Sequence, residues 1–375
     1  MFSDPFSLDP QVIYLNHAAV APWPVCAVEA VCAFARENGS AGASNYPHWL
    51  TLEAELRNRL AALIQAPSVE HIALLKSTSE GLSVVAHGLD WRAGENLVSV
   101  AQEFPSNRIV WESLQPRGVE VRLLDLDSAM DPEARLMELC DANTRLLAVS
   151  SVQYARGRRM DLQRLGEFCR SRGLIFVVDA IQSLGAFPLD VEAIHADAVA
   201  ADGHKWMLGP EGMALFYCRD WLRERLALHQ FGWHMVEQAG DFERSDWQPA
   251  ASARRFECGS PNLLGAHALH ASLGLLHEVG IATVSRNIQD HCDRIIEHID
   301  AGGFELLTPR ESRLRAGIVT FAIPGIDSKI LHQALMQRQV ICAQRGGGVR
   351  FSPHFHTTPA QIDEAFRRLD EALNE

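Results

Sequence analysis

Two charged residues in the middle of the chain are placed where they could do chemistry together. Asp179 directly follows a buried-type strand over residues 174–178, and Lys205 lies between a second strand and a turn rich in glycine and proline. Open α/β sheets place ligand-binding groups at the carboxyl ends of their strands. Desolvation can lower the pKa of a lysine enough to supply a neutral amine. The alternatives are an aspartate that caps a turn and a surface lysine whose stem covers apolar neighbours.

A candidate anion site precedes this pair in the chain. Residues 76–81 read Lys-Ser-Thr-Ser-Glu-Gly and lie between a short predicted strand and a helix predicted over residues 82–89. Ser77 and Glu80 have the spacing of a capping box, and the free N–H groups at a helix start attract anions. From the residues alone, a simple helix cap is the better-supported interpretation.

The elements that must position these residues alternate between strand and helix from about residue 70 to residue 220. This alternation predicts a mostly parallel sheet covered by helices on both faces. A helix is predicted over residues 162–172 from its 3.6-residue period. The predicted strands span residues 72–75, 96–100, 119–124, 146–152, 174–178, 198–201 and 213–217.

The remainder of the chain has a different pattern. Residues 230–255 show no sustained period and predict a loop crossing. Beyond it we expect a smaller α+β unit, because helical and strand-like segments no longer alternate regularly. Its helices are predicted over residues 266–279, 284–299 and 359–373, and its strands over residues 317–323, 339–343 and 349–352.

Composition limits the class of function. The 375 residues are 47% hydrophobic and 22% charged, which are ordinary values for a folded chain and favour two domains. Thirty-four basic and 47 acidic residues give a net charge of −13, which argues against nucleic acid or anionic lipid as a partner. Residues 1–5 show neither the basic region nor the apolar core of a signal peptide, and no apolar run approaches membrane-spanning length. We therefore expect a cytoplasmic protein with a small-molecule partner.

The 8 cysteines are scattered, and no two are spaced as Cys-x-x-Cys. This pattern predicts neither a disulfide framework nor a zinc site, and we expect no metal. Most of the cysteines are expected to be buried apolar side chains.

In order and spacing, these motifs resemble the class V aminotransferase group of fold-type I pyridoxal-phosphate enzymes. That group includes cysteine desulfurases, selenocysteine lyases, kynureninases and isopenicillin N epimerase-like proteins. The central match is Val-Asp-Ala-Ile-Gln at residues 178–182, followed by His-Lys-Trp at residues 204–206, and the resemblance extends from Tyr14 to Pro353. It implies a large cofactor-binding α/β domain over residues 16–260 with a mostly parallel seven-stranded sheet. Residues 261–375 would form a smaller α+β domain, against which residues 1–15 would pack.

The resemblance assigns the residues around the cofactor ring. Lys205 would bind the aldehyde of pyridoxal 5'-phosphate covalently and would afterwards be free to move protons. Asp179 would pair with the ring nitrogen and keep it protonated, so that the ring accepts electrons from the substrate. Gln182 matches the residue that contacts the phenolic oxygen. Phe104 matches the aromatic side chain that stacks on the ring, where desulfurases use histidine.

The same resemblance assigns the phosphate contacts to Thr78 and Ser79, with His204 completing the site. One residue departs from the pattern, because many desulfurases carry a phosphate-binding serine where this chain has Asp202. A carboxylate would repel a phosphate. We therefore expect the Asp202 side chain to point elsewhere, or to bind a cation or neighbouring backbone.

On the substrate side, Arg350 matches the arginine that clamps the α-carboxylate, a task that suits the two-pronged guanidinium group. A solvent-facing strand arginine is the alternative. His17, in the N-terminal motif, is assigned to the substrate side as well. Gln153 or Tyr154 would face the substrate from a strand end, and the sequence does not choose between them.

The segment Phe-Glu-Cys-Gly-Ser-Pro-Asn at residues 256–262 resembles a family loop that reaches the phosphate held by the partner subunit. Ser260 would supply the hydroxyl group, which implies a homodimer with shared active sites. The alternative is a turn built around Gly259 and Pro261.

The resemblance implies a reaction on an amino acid or related amine, but several reactions remain open. We expect transamination, or epimerase-like or lyase chemistry, ahead of cysteine desulfuration. A desulfurase needs a mobile cysteine near the carboxylate-binding arginine, and the nearest cysteine, Cys342, falls in a predicted strand. A regulator that binds the cofactor or an amino acid without catalysis is the alternative of another class, and the presence of Lys205, Asp179 and Arg350 argues against it.

Overall fold

The computed structural model describes residues 5–374; residues 1–4 of the predicted N-terminal segment and residue 375 lie outside the described residues. In chain order the strands are β1 (Ile13–Tyr14), β2 (Ile72–Leu75), β3 (Asn96–Val100), β4 (Glu120–Leu124), β5 (Thr144–Ser150), β6 (Ile175–Asp179), β7 (Ala198–Asp202), β8 (Ala214–Cys218), β9 (Glu305–Leu306), β10 (Val319–Ala322), β11 (Val340–Ile341), β12 (Ala343–Arg345) and β13 (Gly348–Phe351). The helices are α1 (Val25–Ala41), α2 (Tyr46–Leu63), α3 (Thr78–Gly88), α4 (Ser106–Glu112), α5 (Pro132–Leu139), α6 (Leu162–Arg172), α7 (Asp220–Arg223), α8 (Leu263–Val279), α9 (Ile281–Ala301), α10 (Ser328–Gln337) and α11 (Pro359–Leu373).

A seven-stranded sheet in the order β2-β8-β7-β6-β5-β3-β4 forms the centre of the fold. Only β8 runs against the others, pairing antiparallel with both β2 and β7. The parallel pairs are those of β3 with β4 and β5, β5 with β6, and β6 with β7. The prediction of a mostly parallel seven-stranded sheet is confirmed, and each of its strands lies within two residues of its predicted position.

The sheet is buried on both faces, which explains its unbroken apolar strands. Along β6, Phe176 and Val178 join one hydrophobic cluster with α6 and α8, whereas Ile175 and Val177 join a second cluster with α3 and α4. This division follows from the two-residue period of side chains along a strand. Helices therefore cover each face and leave the carboxyl ends of β6 and β7 free to carry polar groups.

Helix α3 lies unusually close to the sheet because of Gly81. A Cβ atom added at Gly81 would lie 3.0 Å from the Ala200 Cβ atom and 3.0 Å from the Phe216 ring. The missing side chain lets the first turn of α3 reach the carboxyl edge of β7, where the predicted phosphate contacts are located.

The C-terminal part contains a four-stranded sheet in the order β12-β13-β10-β9, against which α9, α10 and α11 pack. The N-terminal strand β1 joins this part by pairing in parallel with β11, at Ile13 with Val340 and Tyr14 with Ile341. The strand predicted over residues 339–343 is interrupted at Cys342, between β11 and β12.

Helices α1 and α2 were not predicted from the sequence. Helix α1 has 17 residues, of which only Ala27 is buried, so it lacks the apolar stripe that reveals a helix. Residues 230–252 form the expected loop crossing, without a helix or strand. Among residues 5–374, no helix is both long enough and apolar enough to cross a membrane.

The close packing of α3 predicts that Gly81→Val destabilises the protein by about 1–3 kcal/mol, because the added methyl groups overlap two packed side chains. Urea unfolding measures this change. Gly39→Ala in α1 is the matched control: nothing lies within 4 Å of the added Cβ atom, and the gain in helix propensity should stabilise by up to about 1 kcal/mol. Equal unfolding midpoints for Gly81→Val and the parent protein would contradict the packing argument.

Candidate active site

A cavity of about 240 Å³ opens where the carboxyl ends of β6 and β7 meet the first turn of α3. Ligands of open α/β sheets bind at this edge. The cavity is lined by most of the residues selected from the sequence: Thr78, Ser79, Phe104, Tyr154, Asp179, Gln182, His204, Lys205 and Arg350.

Lys205 is buried at this cavity without a hydrogen-bond or ion-pair partner among residues 5–374, and its Nζ atom lies 5.4 Å from the centre of the Phe104 ring. Burial lowers the pKa of Lys205 to about 8, with Arg350 adding to the decrease and Asp179 opposing it. Roughly one-tenth of this amine is therefore neutral at pH 7, far more than of an ordinary lysine, and the neutral form is the one that acts as a nucleophile.

Asp179 ends β6 and is only 2% exposed. Its Oδ1 atom accepts a hydrogen bond from the backbone N–H of Ile181 at 3.0 Å. Burial raises the pKa of Asp179 to about 7, and the nearby carboxylate of Glu103 adds to the increase. A buried carboxylate that accepts so few hydrogen bonds suits a ligand with a cationic ring nitrogen. The unpartnered amine of Lys205 suits the aldehyde of the same ligand.

The start of α3 supplies groups for a phosphate. Ser77 caps the helix by accepting the Glu80 N–H at 3.2 Å, whereas Glu80 accepts the Lys76 N–H at 2.8 Å rather than completing the capping box with Ser77. Thr78 accepts the Asp202 N–H at 3.0 Å, so its hydroxyl proton remains available to a ligand. The positive end of this 11-residue helix favours an anion.

Of the alternatives expected for Asp202, which were to point elsewhere or to bind a cation or neighbouring backbone, the structure does not show the first. Asp202 lines the cavity, and its Oδ1 atom lies 2.9 Å from the Nδ1 atom of His204. The Asp202 carboxylate is therefore directed at the His204 ring within the cavity wall.

Gln182 has both ends of its amide held. Its Nε2 atom donates to the Ala18 carbonyl at 3.0 Å, and its Oε1 atom accepts from Trp206 Nε1 at 2.9 Å. One N–H of the amide remains for a ligand.

Arg350 is a buried cation, 2% exposed, whose NH1 atom donates to the Tyr154 carbonyl at 2.6 Å. Its NH2 atom approaches Asn16 Oδ1 at 3.4 Å, and its buried Nε atom has no partner. Burial, followed by the charge of Arg345, lowers the pKa of Arg350 to about 10. An incoming carboxylate would therefore meet a guanidinium group with unused donors.

Three selected residues do not line this cavity. Gln153 is buried and donates its amide to Glu103 at 3.0 Å, so of the two strand-end candidates only Tyr154 lines the cavity. His17 is fully buried behind the wall, with its Nδ1 atom 2.9 Å from the Ser352 carbonyl, and burial lowers its pKa to about 4. Ser260 lies at a separate cavity of about 290 Å³.

Two residues of the site were missed from the sequence. Glu103 is 4% exposed and accepts the Ser150 N–H at 2.7 Å, so it fixes the end of β5 beside the cavity. Its position just after β3 is the same strand-end signal that singled out Asp179. Arg345 lines the cavity five residues before Arg350, on the neighbouring strand β12.

The fold and the site define a class, a fold-type I pyridoxal-phosphate enzyme. The model of the family described as "Aminotransferase class-V" matches residues 13–363, and the chain belongs to this family. A protein of Methanothermobacter thermautotrophicus named probable cysteine desulfurase is 31% identical and aligns over 96% of this chain and 94% of its own. An uncharacterized aminotransferase of Bacillus subtilis is 29% identical over 84% of this chain and 82% of its own.

Solved structures agree with this assignment. The apo structure of a cysteine desulfurase from Thermococcus onnurineus NA1 superimposes with a TM-score of 0.88 at 25% identity, covering 97% of this chain and 96% of its own. The predicted fold and the predicted cofactor are confirmed: the protein is a pyridoxal-phosphate-dependent enzyme.

We predict that Lys205 alone attaches the cofactor. The chain contains only three lysines, Lys76, Lys205 and Lys329, so borohydride reduction of the coloured protein followed by peptide mass mapping gives an unambiguous answer. The label should fall on Lys205, and Lys205→Ala should lose the visible absorption band while retaining its unfolding midpoint. Lys329→Ala, on the exposed side of α10, is the matched control and should keep the band. A label on Lys76, or an unchanged band in Lys205→Ala, would contradict the assignment.

Proposed function

We propose that this enzyme breaks the bond between Cβ and a sulfur substituent of an amino acid by elimination, without passing the sulfur to an enzyme cysteine. The names of the similar proteins support sulfur chemistry. The observation that carries the proposal is the absence of a thiol: no cysteine among the described residues lines the 240 Å³ cavity.

Cys342 is the cysteine nearest in sequence to Arg350, and its surroundings oppose a nucleophilic role. It is 3% exposed between β11 and β12, and burial raises its pKa to about 12. The thiolate is the reactive form of cysteine, and a reactive cysteine needs an accessible, electropositive setting. The proposed reaction is a lyase reaction, one of those expected from the sequence. The sulfur leaves directly into solvent as sulfide.

Each residue of the cavity has a proposed task in this reaction. Thr78, Ser79 and His204 hold the phosphate, Asp179 holds the protonated ring nitrogen, and Phe104 covers the ring. When bound, pyridoxal phosphate withdraws electrons from the substrate Cα atom and so makes its proton acidic. Gln182 is placed for the phenolic oxygen.

Arg350 and Lys205 act on the substrate itself. Arg350 binds the α-carboxylate and is held in place by the Tyr154 carbonyl at 2.6 Å. The neutral amine of Lys205 takes the proton from Cα, and the electron pair left on Cα expels the sulfur from Cβ as a thiolate, which takes up a proton. Hydrolysis of the unsaturated amine that remains gives pyruvate and ammonium, so that cysteine plus water yields sulfide, pyruvate and ammonium.

We predict that cysteine gives sulfide and pyruvate in equal amounts in the absence of any added thiol acceptor. Cys342→Ser should leave the rate within about twofold, because the buried thiol does not take part. Arg350→Gln should lower kcat/KM by at least about tenfold, through the loss of a charge-assisted hydrogen bond of about 1.5–3 kcal/mol. Alanine as product instead of pyruvate, or a rate abolished by Cys342→Ser, would overturn the elimination in favour of persulfide transfer. 3-Mercaptopyruvate formed only when a 2-oxo acid is supplied, without release of sulfide, would indicate transamination.

We further propose that the enzyme works in the cytoplasm as a homodimer with shared active sites. Ser260 is exposed in a loop anchored through Glu257, which accepts from Arg57 at 2.5 Å and 3.1 Å. A rigid anchor beside an exposed hydroxyl group suits a loop that contacts a neighbouring subunit.

The shared-site proposal predicts complementation between two inactive variants. Lys205→Ala lacks the reactive amine, and Ser260→Asp should repel the phosphate held by the neighbouring subunit. Each mixed dimer contains one site with both native residues and should have about half the activity of the normal dimer. Random exchange in equal amounts makes about half of the dimers mixed, so about a quarter of the total activity should return. If subunit exchange is shown by native mass spectrometry and activity stays absent, each site belongs to a single chain.

A further inference from the structure

A second cavity of about 590 Å³ lies away from the proposed active site and shares no lining residue with it. The loop over residues 151–160, the start of α6 and residues 187–190 form most of its wall, and Arg313 and Leu314 close it from the C-terminal part of the chain. Small-molecule sites commonly have this size and this position between two packed units.

Two adjacent cations in this cavity have no anionic partner. Neither the Arg158 nor the Arg159 guanidinium group forms a hydrogen bond or an ion pair with any residue from 5 to 374, and the Nε atom of Arg158 is buried and unsatisfied. Arg350 shows the same buried, unpartnered Nε atom at the proposed substrate site. A buried polar group without a partner is costly, which points to a ligand that the group binds.

The carboxylates of the cavity are already engaged and do not neutralise these two arginines. Asp131 accepts from Arg164 at 2.8 Å and 2.9 Å, and Glu133 accepts the Asp161 N–H at 3.0 Å. Asp161 caps α6, and Asp190 accepts the backbone N–H groups of residues 192 and 193. Donors are therefore left unused on the side of Arg158 and Arg159.

Part of the cavity wall is apolar. Met160, Phe187 and Leu189 are buried there, and the Arg159 guanidinium group lies 5.7 Å from the centre of the Phe187 ring. A ligand that fills this space would place a flat or branched apolar body against these side chains and its charged group towards the arginines.

We propose that this cavity binds a small molecule with an anionic head group, a phosphate or a carboxylate, and a compact apolar body. Arg158 and Arg159 hold the head group, and the wall around Phe187 holds the body. The site is separate from the reaction and acts on it as an effector site.

The coupling runs through the loop that both cavities share. Gln153 donates its backbone N–H to the Arg158 carbonyl at 2.8 Å, and the Tyr154 carbonyl between them holds Arg350. Gly157 closes this loop with φ of +72°, and a Cβ atom there would lie 2.4 Å from the Ile318 carbonyl oxygen. A ligand that fixes Arg158 therefore fixes Tyr154, and we expect it to change the KM of the amino acid more than kcat. This kinetic effect rests on the proposed role of Arg350, whereas the binding does not.

Binding is tested on the holoenzyme by isothermal titration calorimetry, with phenyl phosphate and phenylacetate as probes of the two head groups. Inorganic phosphate and benzyl alcohol test the head and the body alone. Phenyl phosphate or phenylacetate should bind at one site per chain and more tightly than either fragment, and which of the two binds better identifies the head group. Arg158→Gln and Arg159→Gln should each weaken this binding at least tenfold. Arg313→Gln is the matched control, since it lines the same cavity but is exposed and already paired with Glu311, and it should change the binding less than twofold.

Arg159 is exposed, so Arg159→Gln tests the site even if Arg158→Gln folds poorly. The proposal is overturned if no probe binds, or if both variants bind as tightly as the parent protein. If the binding depends on both arginines but the KM of the amino acid does not change, the ligand site is supported and the coupling through Tyr154 is refuted. A failure of the elimination reaction would leave the calorimetric result unaffected.

Discussion

The burial of a lysine and a carboxylate that are not paired with each other is the constraint on which the rest of this structure depends. An isolated charge in a protein interior is strongly unfavourable, and such groups are normally paired or neutralised by a shift in pKa. Here the pKa of Lys205 falls to about 8 and that of Asp179 rises to about 7, so burial shifts both groups towards their neutral forms. The sheet keeps both residues buried at this position. Asp179 pairs with Ala200 in the strand register, so the end of β6 lies beside the segment that carries Lys205.

The charged groups around the cavity match the charges at the two ends of pyridoxal phosphate. Glu103 lies behind Asp179 and, as a second buried carboxylate, raises its pKa, so a cationic ring nitrogen is the ligand group that relieves both. At the opposite end of the cavity, the start of α3 favours an anion, and the Asp202 carboxylate lies against the His204 ring. A cofactor with a phosphate at one end and a cationic ring nitrogen at the other would complement both ends of this cavity.

The sequence was sufficient for the sheet and for the positions of the reactive groups, and insufficient for the direction of individual side chains. The positions of the strand-end carboxylates and of the lysine segment follow from the order of strands and helices. The apolar runs of the strands, which alternate with helical segments, reveal that order. The directions of Gln153 and His17 could not be predicted, because both residues lie beyond the end of a strand, where the local turn decides whether a side chain faces the cavity or the interior. The direction of Asp202 stayed open for a related reason: its neighbour His204 lies two residues further on, and only the turn after β7 brings the two side chains together.

The buried residues behind the cavity join three parts of the chain that would otherwise respond to ligands independently. The Gln182 amide is held by Trp206 and by the carbonyl of Ala18, and Ala18 donates its N–H to Ser352 Oγ at 3.0 Å, just beyond β13. Since Arg350 lies on β13, a carboxylate that pulls this strand moves the same network that holds Gln182 beside the cofactor. Apart from the backbone between Arg350 and Ser352, the links are hydrogen bonds in the interior, where replacing the bonded partner leaves an unsatisfied group. We therefore expect substrate binding and cofactor position to change together, because this chain of contacts leads from Arg350 through Ser352 and Ala18 to Gln182.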